Sequence, residues 1–386
     1  MKVICDRAAL REIVNLISGV VATRTPKPQL TGVRITASKK GGTGVLAFAG
    51  TDAEVSLRTA TTHVEVQKEG EVLIPADKLR QIVSAEDQEP TLTLTSDADD
   101  LTIRGQDARF VIRGFPAAEF PAMPDFPDDS DSAFSMKPTQ IGSLIARTIF
   151  STARENSRYA INGVLLNRKG KKIEMVATDG RRLAMARGSV ESGGGGGGDG
   201  EATCIVPTKA LNLLLKLIDT AGADVDIAIT ENQSFFRLKG DEEGSETLLV
   251  SNLVEGTFPP YEDVIPKDQD KKATFAVEVL SSAVRRAALL TNEESRGVRM
   301  AFNPKGEKAL TLSSRAPEMG EAEINVSMEK YEGDQIEIGF NPAFITDALK
   351  VLDGEEVILE MKAPNKPGLI RSGQNFVYVV MPVNLQ

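Results

Sequence analysis

Leu73-Ile74-Pro75-Ala76-Asp77-Lys78-Leu79, Ile205-Val206-Pro207-Thr208-Lys209-Ala210-Leu211 and Gly339-Phe340-Asn341-Pro342-Ala343-Phe344 are three renderings of one phrase. In each, an apolar run meets a proline and passes into an amphipathic pattern. Proline suits the first turn of a helix, where its missing N–H has no partner to lose, so each phrase predicts a strand that hands over to a helix. The phrases recur at roughly 130 residues, a spacing too long for a solenoid unit and right for a domain.

The same grammar surrounds each phrase. An earlier helix precedes it, with apolar residues at the i, i+3, i+4, i+7 spacing of a single buried stripe. In the first copy the stripe is Leu10, Ile13, Val14 and Ile17, and in the second Ile141, Leu144, Ile145, Thr148 and Ile149. In the third it is Leu280, Val284, Ala287 and Ala288. The helices that follow the phrases carry Leu211, Leu214, Leu215 and Ile218 in the second copy, and Ile345, Ala348, Leu349 and Leu352 in the third. Strands are expected at 32–36, 45–49 and 54–59, and alternating Leu92-Thr93-Leu94-Thr95 and Leu101-Thr102-Ile103-Arg104 read as half-exposed strands. The Pro-rich stretches after Phe115-Pro116 and Phe258-Pro259 are exits between copies. The reading is an α+β chain of three similar domains, 1–127, 128–268 and 269–386, each with two helices on antiparallel sheets.

With 41% apolar residues, each domain can bury its own core. No apolar run approaches the 18 or so residues of a membrane span, and no basic stretch followed by an apolar one opens the chain, so a cytoplasmic protein is expected. Cys5 and Cys204 fall in different copies and read as small buried hydrophobes rather than a disulfide. His63 stands alone on a surface strand, so neither a zinc site nor a Ser-His-Asp triad is supported. Asp52 and Asp179 sit in Thr-Asp turns without a catalytic partner, and the run 193–198 lacks the Gly-Lys-Ser/Thr of a phosphate loop and reads as a linker. No enzyme activity, metal or cofactor is expected.

The formal net charge is −10, with an uneven distribution. The six expected helices hold ten Lys/Arg against six Asp/Glu, while the remainder holds 35 against 49. A shared helical face would be mildly basic on an acidic body, suited to phosphate backbones without base readout; the same excess is also ordinary for solvated helix surface.

Val176-Ala177-Thr178-Asp179-Gly180-Arg181-Arg182-Leu183-Ala184 resembles the Ala-Thr-Asp-Gly-His-Arg-Leu segment of the bacterial DNA polymerase III beta subunits, the replicative sliding clamps. Tyr378-Val379-Val380-Met381-Pro382, Gly256-Thr257-Phe258-Pro259-Pro260-Tyr261, Glu293-Glu294-Ser295-Arg296-Gly297-Val298-Arg299 and Gly50-Thr51-Asp52-Ala53-Glu54 resemble further segments of that family in the expected order. The resemblance implies a head-to-tail homodimer whose six domains close a ring around double-stranded DNA and tether the polymerase. Phe110 and Ile112 would then meet Leu289 and Leu290 of the second copy. DNA-facing candidates are Arg24, Lys78, Arg80, Arg147, Tyr159, Lys209, Lys216, Arg285 and Arg286.

The resemblance also implies a pocket that takes short apolar peptides from the replicative polymerase, the clamp loader and repair polymerases. Carried over by position, it comprises Arg158, Ile161, Thr178, Gly180, Arg181, Arg182, Leu183, Pro259, Val264, Asn341, Phe344, Val379, Val380, Met381, Pro382 and Val383. The chain departs from the family pattern at Arg181, where His is frequent, at Phe344, where Tyr is usual, and at the ending Val383-Asn384-Leu385-Gln386.

Overall fold

The computed structural model describes the chain except residues 131, 154–159, 194–199, 220–221, 241–244, 292–296, 304–309, 353, 355 and 385–386. All six expected helices are present: α1 (Arg7–Ser18), α2 (Ala76–Ala85), α3 (Pro138–Ile149), α4 (Thr208–Ile218), α5 (Val277–Ala287) and α6 (Pro342–Leu349). No helix is long and apolar enough to cross a membrane. The described residues fall into two compact units. One is Met1–Gly142 with Val190–Ala202 and Lys209–Leu253; the other is Ser143–Ser189 with Thr203–Thr208 and Val254–Gln386.

In the first unit α1 buries Leu10, Val14 and Ile17, with Ile13 at the margin, and packs beside α2. The Asp6 carboxylate accepts from Ala9 N–H at 2.8 Å, satisfying one of the donors that a helix start leaves open. A nine-stranded antiparallel sheet joins two copies of the repeat, because Thr247–Asn252 of the second pairs with Val55–Thr61 of the first. A five-stranded sheet ends on the strand Arg109–Arg113. The exit stretch that follows lies on the sheet as a strap. Phe120 packs with Ala49 and Leu73, and Phe126 packs edge-on to Phe235 at 6.4 Å with the Arg237 guanidinium 3.9 Å from its ring centre. Asp125 and Asp128 tie the strap by ion pairs to Arg58 (2.9 Å) and Arg237 (2.7 Å).

In the second unit a nine-stranded sheet again joins two copies, Arg182–Ser189 of the second pairing with Phe376–Val380 of the third. One cluster gathers Phe275, Leu280, Val284, Phe302, Phe340, Ile345, Leu349 and Tyr378 between α5, α6 and the strands. A four-stranded sheet ends on Gly320–Val326.

Two expectations change. His63 is exposed, as expected, but lies between the strands Val55–Thr61 and Val64–Lys68 rather than on one. Of the glycine run, Gly193 belongs to the short strand Ser192–Gly193, and the rest lies outside the described residues. Both cysteines are free and buried, and burial pushes each thiol up to about 12.

Candidate functional site

The segment that carried the family resemblance is a tight turn between the strands Lys172–Thr178 and Arg182–Ser189. Asp179 Oδ1 accepts from the backbone N–H of Arg181 (2.9 Å) and Arg182 (3.0 Å). Thr178 Oγ1 accepts from Gly180 N–H (3.1 Å) and donates to the Arg182 carbonyl (2.7 Å). Gly180 takes φ +83°, a left-handed conformation that disfavours a Cβ. The first copy repeats this turn bond for bond: Asp52 Oδ1 accepts from Glu54 (2.9 Å) and Val55 (2.7 Å), and Thr51 Oγ1 accepts from Ala53 (3.0 Å) and donates to Val55 (3.0 Å). Both aspartates are therefore occupied as turn-formers.

Arg182 leaves this turn as a structural hub. Its guanidinium meets Asp179 Oδ2 at 3.1 Å and Asp347 Oδ2 of α6 at 2.8 Å, donates to the Phe150 carbonyl at 2.7 Å, and lies 4.4 Å from the centre of the Phe344 ring. The side chain is only 11% exposed. Burial alone would lower its pKa, but the Asp347 contact and the neighbouring charges outweigh that and raise it. Asn341 caps α6 by accepting from Ala343 N–H at 3.0 Å, and the Tyr378 hydroxyl donates to the Phe344 carbonyl at 3.0 Å. The sequence showed Asp179 three residues before Arg182; it gave no sign of Asp347, which only the packing of α6 brings in.

Side chains alternate across a strand, and the structure divides the candidate pocket residues accordingly. Leu183 and Val379, cross-strand partners, lie in one apolar cluster with Met185, Val377, Leu165 and Val176, packed against Val254, Phe258, Tyr261 and Ile265 of the exit stretch. Val380 turns to the opposite face and is buried in the core with Phe340, while Arg182 turns toward α6. Arg182, Val380, Asn341 and Phe344 thus lie on the α6 side of these strands, away from Leu183 and Val379, which are themselves buried at 3% and 4% exposure. Ile161 and Thr178 are buried, Pro259, Pro382 and Val383 half-buried, and Gly180 and Arg181 exposed. Val264 and Met381 are 53% and 44% exposed. Met381 N–H donates to the Arg181 carbonyl at 3.0 Å and Val383 N–H to the Gly339 carbonyl at 2.9 Å, which fastens the tail beside the turn. Arg158 lies outside the described residues.

Among the basic candidates, Arg24, Lys78, Arg80, Lys216, Arg285 and Arg286 are exposed and Arg147 is half-buried. Lys78 has Asp77 4.0 Å away. Lys209 is engaged: its Nζ is paired with Asp52 and donates to the Val20 carbonyl at 3.0 Å. Burial would raise the Asp52 pKa, but Lys209 and the turn's two N–H donors together hold it below the usual carboxylate value. Tyr159 lies outside the described residues.

Two of the four interface candidates lie in an edge strand and two in the short 3-10 helix Ala288–Leu290 near the other edge. Phe110 is half-buried and Ile112 buried in the edge strand Arg109–Arg113. Leu289 is 73% exposed, and Leu290 lies beside Gly320, where the other edge strand begins. Among the described residues there is no group of three or more His, Cys, Asp or Glu side chains able to hold a metal ion.

Models of the N-terminal, central and C-terminal domains of the DNA polymerase III beta subunit match residues 1–124, 135–260 and 262–384. The beta sliding clamp of Pseudomonas aeruginosa is 31% identical over 382 residues, 98% of this chain and 99% of that protein. The crystal structure of the DNA polymerase sliding clamp from Bacillus subtilis superposes with a TM-score of 0.89 at 27% identity, covering 100% of both chains. That of the Pseudomonas aeruginosa clamp bound to griselimycin gives 0.87 at 30% identity, again covering 100% of both chains.

Proposed function

The chain belongs to the DNA polymerase III beta subunit family, and from that premise we propose that two copies close head to tail into a ring that encircles duplex DNA and holds the replicative polymerase on its template. Its work is topological rather than catalytic. Enclosure lets the ring slide while the tethered polymerase keeps a high effective concentration at the primer end, so synthesis becomes processive without a tighter grip on any base. Such work needs no cofactor, and we place it in the cytoplasm, where bacterial replication occurs.

The observation that carries the ring is a rule of strand pairing. The last strand of the second copy, Thr247–Asn252, pairs with the middle strand Val55–Thr61 of the first, and the last strand of the third, Phe376–Val380, pairs with the middle strand Arg182–Ser189 of the second. One strand of each kind is left over: the last strand of the first copy, Arg109–Arg113, and the middle strand of the third, Gly320–Val326. Both are edges, which are templates for pairing with another chain. Joining them between two molecules repeats the rule a third time and closes after two subunits, a heterologous contact that ends in a ring. The charges agree, with Arg109 on one edge, where Arg113 is already paired with Asp100, and Glu321 and Glu323 on the other. Phe110, Ile112, Leu289 and Leu290 would form its apolar part.

Domains at 1–127, 128–268 and 269–386 fit this plan. Arg24, Lys78, Arg80, Arg147, Lys216, Arg285 and Arg286 would meet the phosphate backbone through loose, salt-sensitive contacts, with Lys209 restrained by Asp52. The wall of Leu183 and Val379, lipped by Val264 and Met381, would receive the apolar peptides of polymerases and clamp loader.

The deciding experiment loads the protein on nicked circular DNA at moderate salt and then linearises the circle, with oligomeric mass measured in parallel. Dimer retained on circles and lost from cut ends is the expected result. A monomer, or equal retention on both DNAs, overturns the ring.

A further inference from the structure

Beyond the apolar wall, the outer face of the same two strands opens into a cavity of about 570 Å³ whose lining is charged. Met185 and Val377 line it, and they are cross-strand partners two residues along from Leu183 and Val379. Residues two apart on a strand share a face about 7 Å apart, so wall and cavity are consecutive stations along one surface. The exit stretch passes both, offering Pro259 and Val264 as candidates at the first and Tyr261, Ile265 and Lys267 at the second.

The lining carries four cations, Arg187, Lys267, Lys272 and Arg371, against two carboxylates, Glu262 and Glu360. Arg187 Nε is taken by Glu174 at 2.7 Å. Arg371 and Lys272 take different oxygens of Glu360, at 3.3 and 3.5 Å, and Lys272 also has Glu332 as a cross-strand neighbour. Lys267 is exposed and has no carboxylate partner among the described residues. The other acidic side chain on the lining, Glu262, is itself exposed. A further carboxylate entering this space would meet Lys267, the lining cation without a carboxylate partner among the described residues.

We propose that the cavity binds an acidic residue flanking the apolar segment of a docked peptide, so that the clamp selects partners by a carboxylate as well as by apolar anchors. The proposal rests on the reading of the neighbouring wall as the peptide pocket. An extended chain advances roughly 3.3–3.6 Å per residue, so the acidic residue stands about two positions from the side chain that fills the wall. Occupation by charge adds discrimination and a salt-dependent on-rate more than bulk affinity.

The test uses the full-length protein and dye-labelled peptides with one Leu- and Phe-bearing core, flanked at either end by Gly-Ser or by Glu-Glu, read by fluorescence anisotropy. Wild type should bind one of the acidic-flanked peptides about 5- to 10-fold more tightly than the neutral one at low salt, with the advantage shrinking at high salt. In Lys267→Glu, an exposed substitution that leaves the wall intact, that advantage should vanish while the affinity for the neutral peptide stays unchanged. Equal affinity of wild type for neutral and acidic peptides, or an advantage that survives Lys267→Glu, overturns the proposal and leaves the pocket standing. Failure of every peptide to bind overturns the pocket and the proposal together.

Discussion

Ala53 and Gly180 hold the same place in two copies of one turn, yet one carries a Cβ. Ala53 sits at φ +80° and Gly180 at +83°, and the same four turn hydrogen bonds surround them. The left-handed region costs an L-residue roughly 1–2 kcal/mol, partly offset by the greater freedom that glycine loses on folding. Ala53→Gly should therefore stabilise the protein by about 0.5–1 kcal/mol, and Gly180→Ala should destabilise it by about the same amount. Opposite shifts in the urea midpoints of the two variants are the expected outcome; shifts of the same sign would mean that the turns differ in strain. This residue-level match also explains why Thr-Asp-Gly-Arg was legible as a motif: its hydrogen bonds are local, so the sequence specifies them by itself. The grip of Arg182 on Asp347 was not legible, because it spans 165 positions.

Elements place charge where single residues cannot. On the strand Val225–Ile229, Asp226 faces Ser135 Oγ (2.7 Å), Arg237 (3.0 Å) and Lys239 (3.2 Å). Burial would raise its pKa, but these three partners outweigh it and hold the carboxyl below the ordinary value. A carboxyl depressed in the folded state adds stability above its unfolded pKa of roughly 3.9, and that stability is lost as pH falls through the folded value. Asp226→Asn should accordingly be less stable than wild type at pH 7 and differ less from it at pH 3, read as a narrowed gap in denaturant midpoints. The helices carry the second element-scale prediction. Arg285 and Arg286 close the last turn of α5 exposed, whereas Lys209 at the start of α4 is tied to Asp52. Replacing both arginines by Ala should reduce the salt slope of DNA binding by up to about 2, since each phosphate contact contributes roughly 0.9. Lys209→Ala should change the slope less than either single arginine variant, and a larger effect would show that the Asp52 pair opens on DNA.

For the whole molecule, Arg109–Arg113 and Gly320–Val326 are sheet edges, and the pairing rule proposed above would give each of them one partner on a second copy. Leu289, 73% exposed near the second of these edges, is an apolar group that such a contact would cover. Leu289→Asp places an unpaired charge there and should weaken dimerisation by about 2–4 kcal/mol, roughly 30- to 1,000-fold in dissociation constant, without altering the fold of the monomer. Sedimentation across a dilution series checks it, and an unchanged dimer would remove Leu289 from the interface. In the proposed ring, closure and DNA retention would depend on this contact.

The sequence alone determined the periodic part of this protein: three helix–strand–helix–strand copies, six amphipathic helices, Pro-opened second helices and the Thr-Asp turns. Each follows from residues a few positions apart, through apolar spacing, proline geometry and side-chain capping. Tertiary structure alone decided which faces those residues occupy and which charges are already spent. Leu183 and Arg182 are neighbours in sequence and diverge across a strand; Lys209 reads as a free cation until Asp52, in the same turn as Ala53, closes on it. Such pairings join positions more than a hundred residues apart, and no local pattern encodes them, because they arise only when separately specified elements pack into one core.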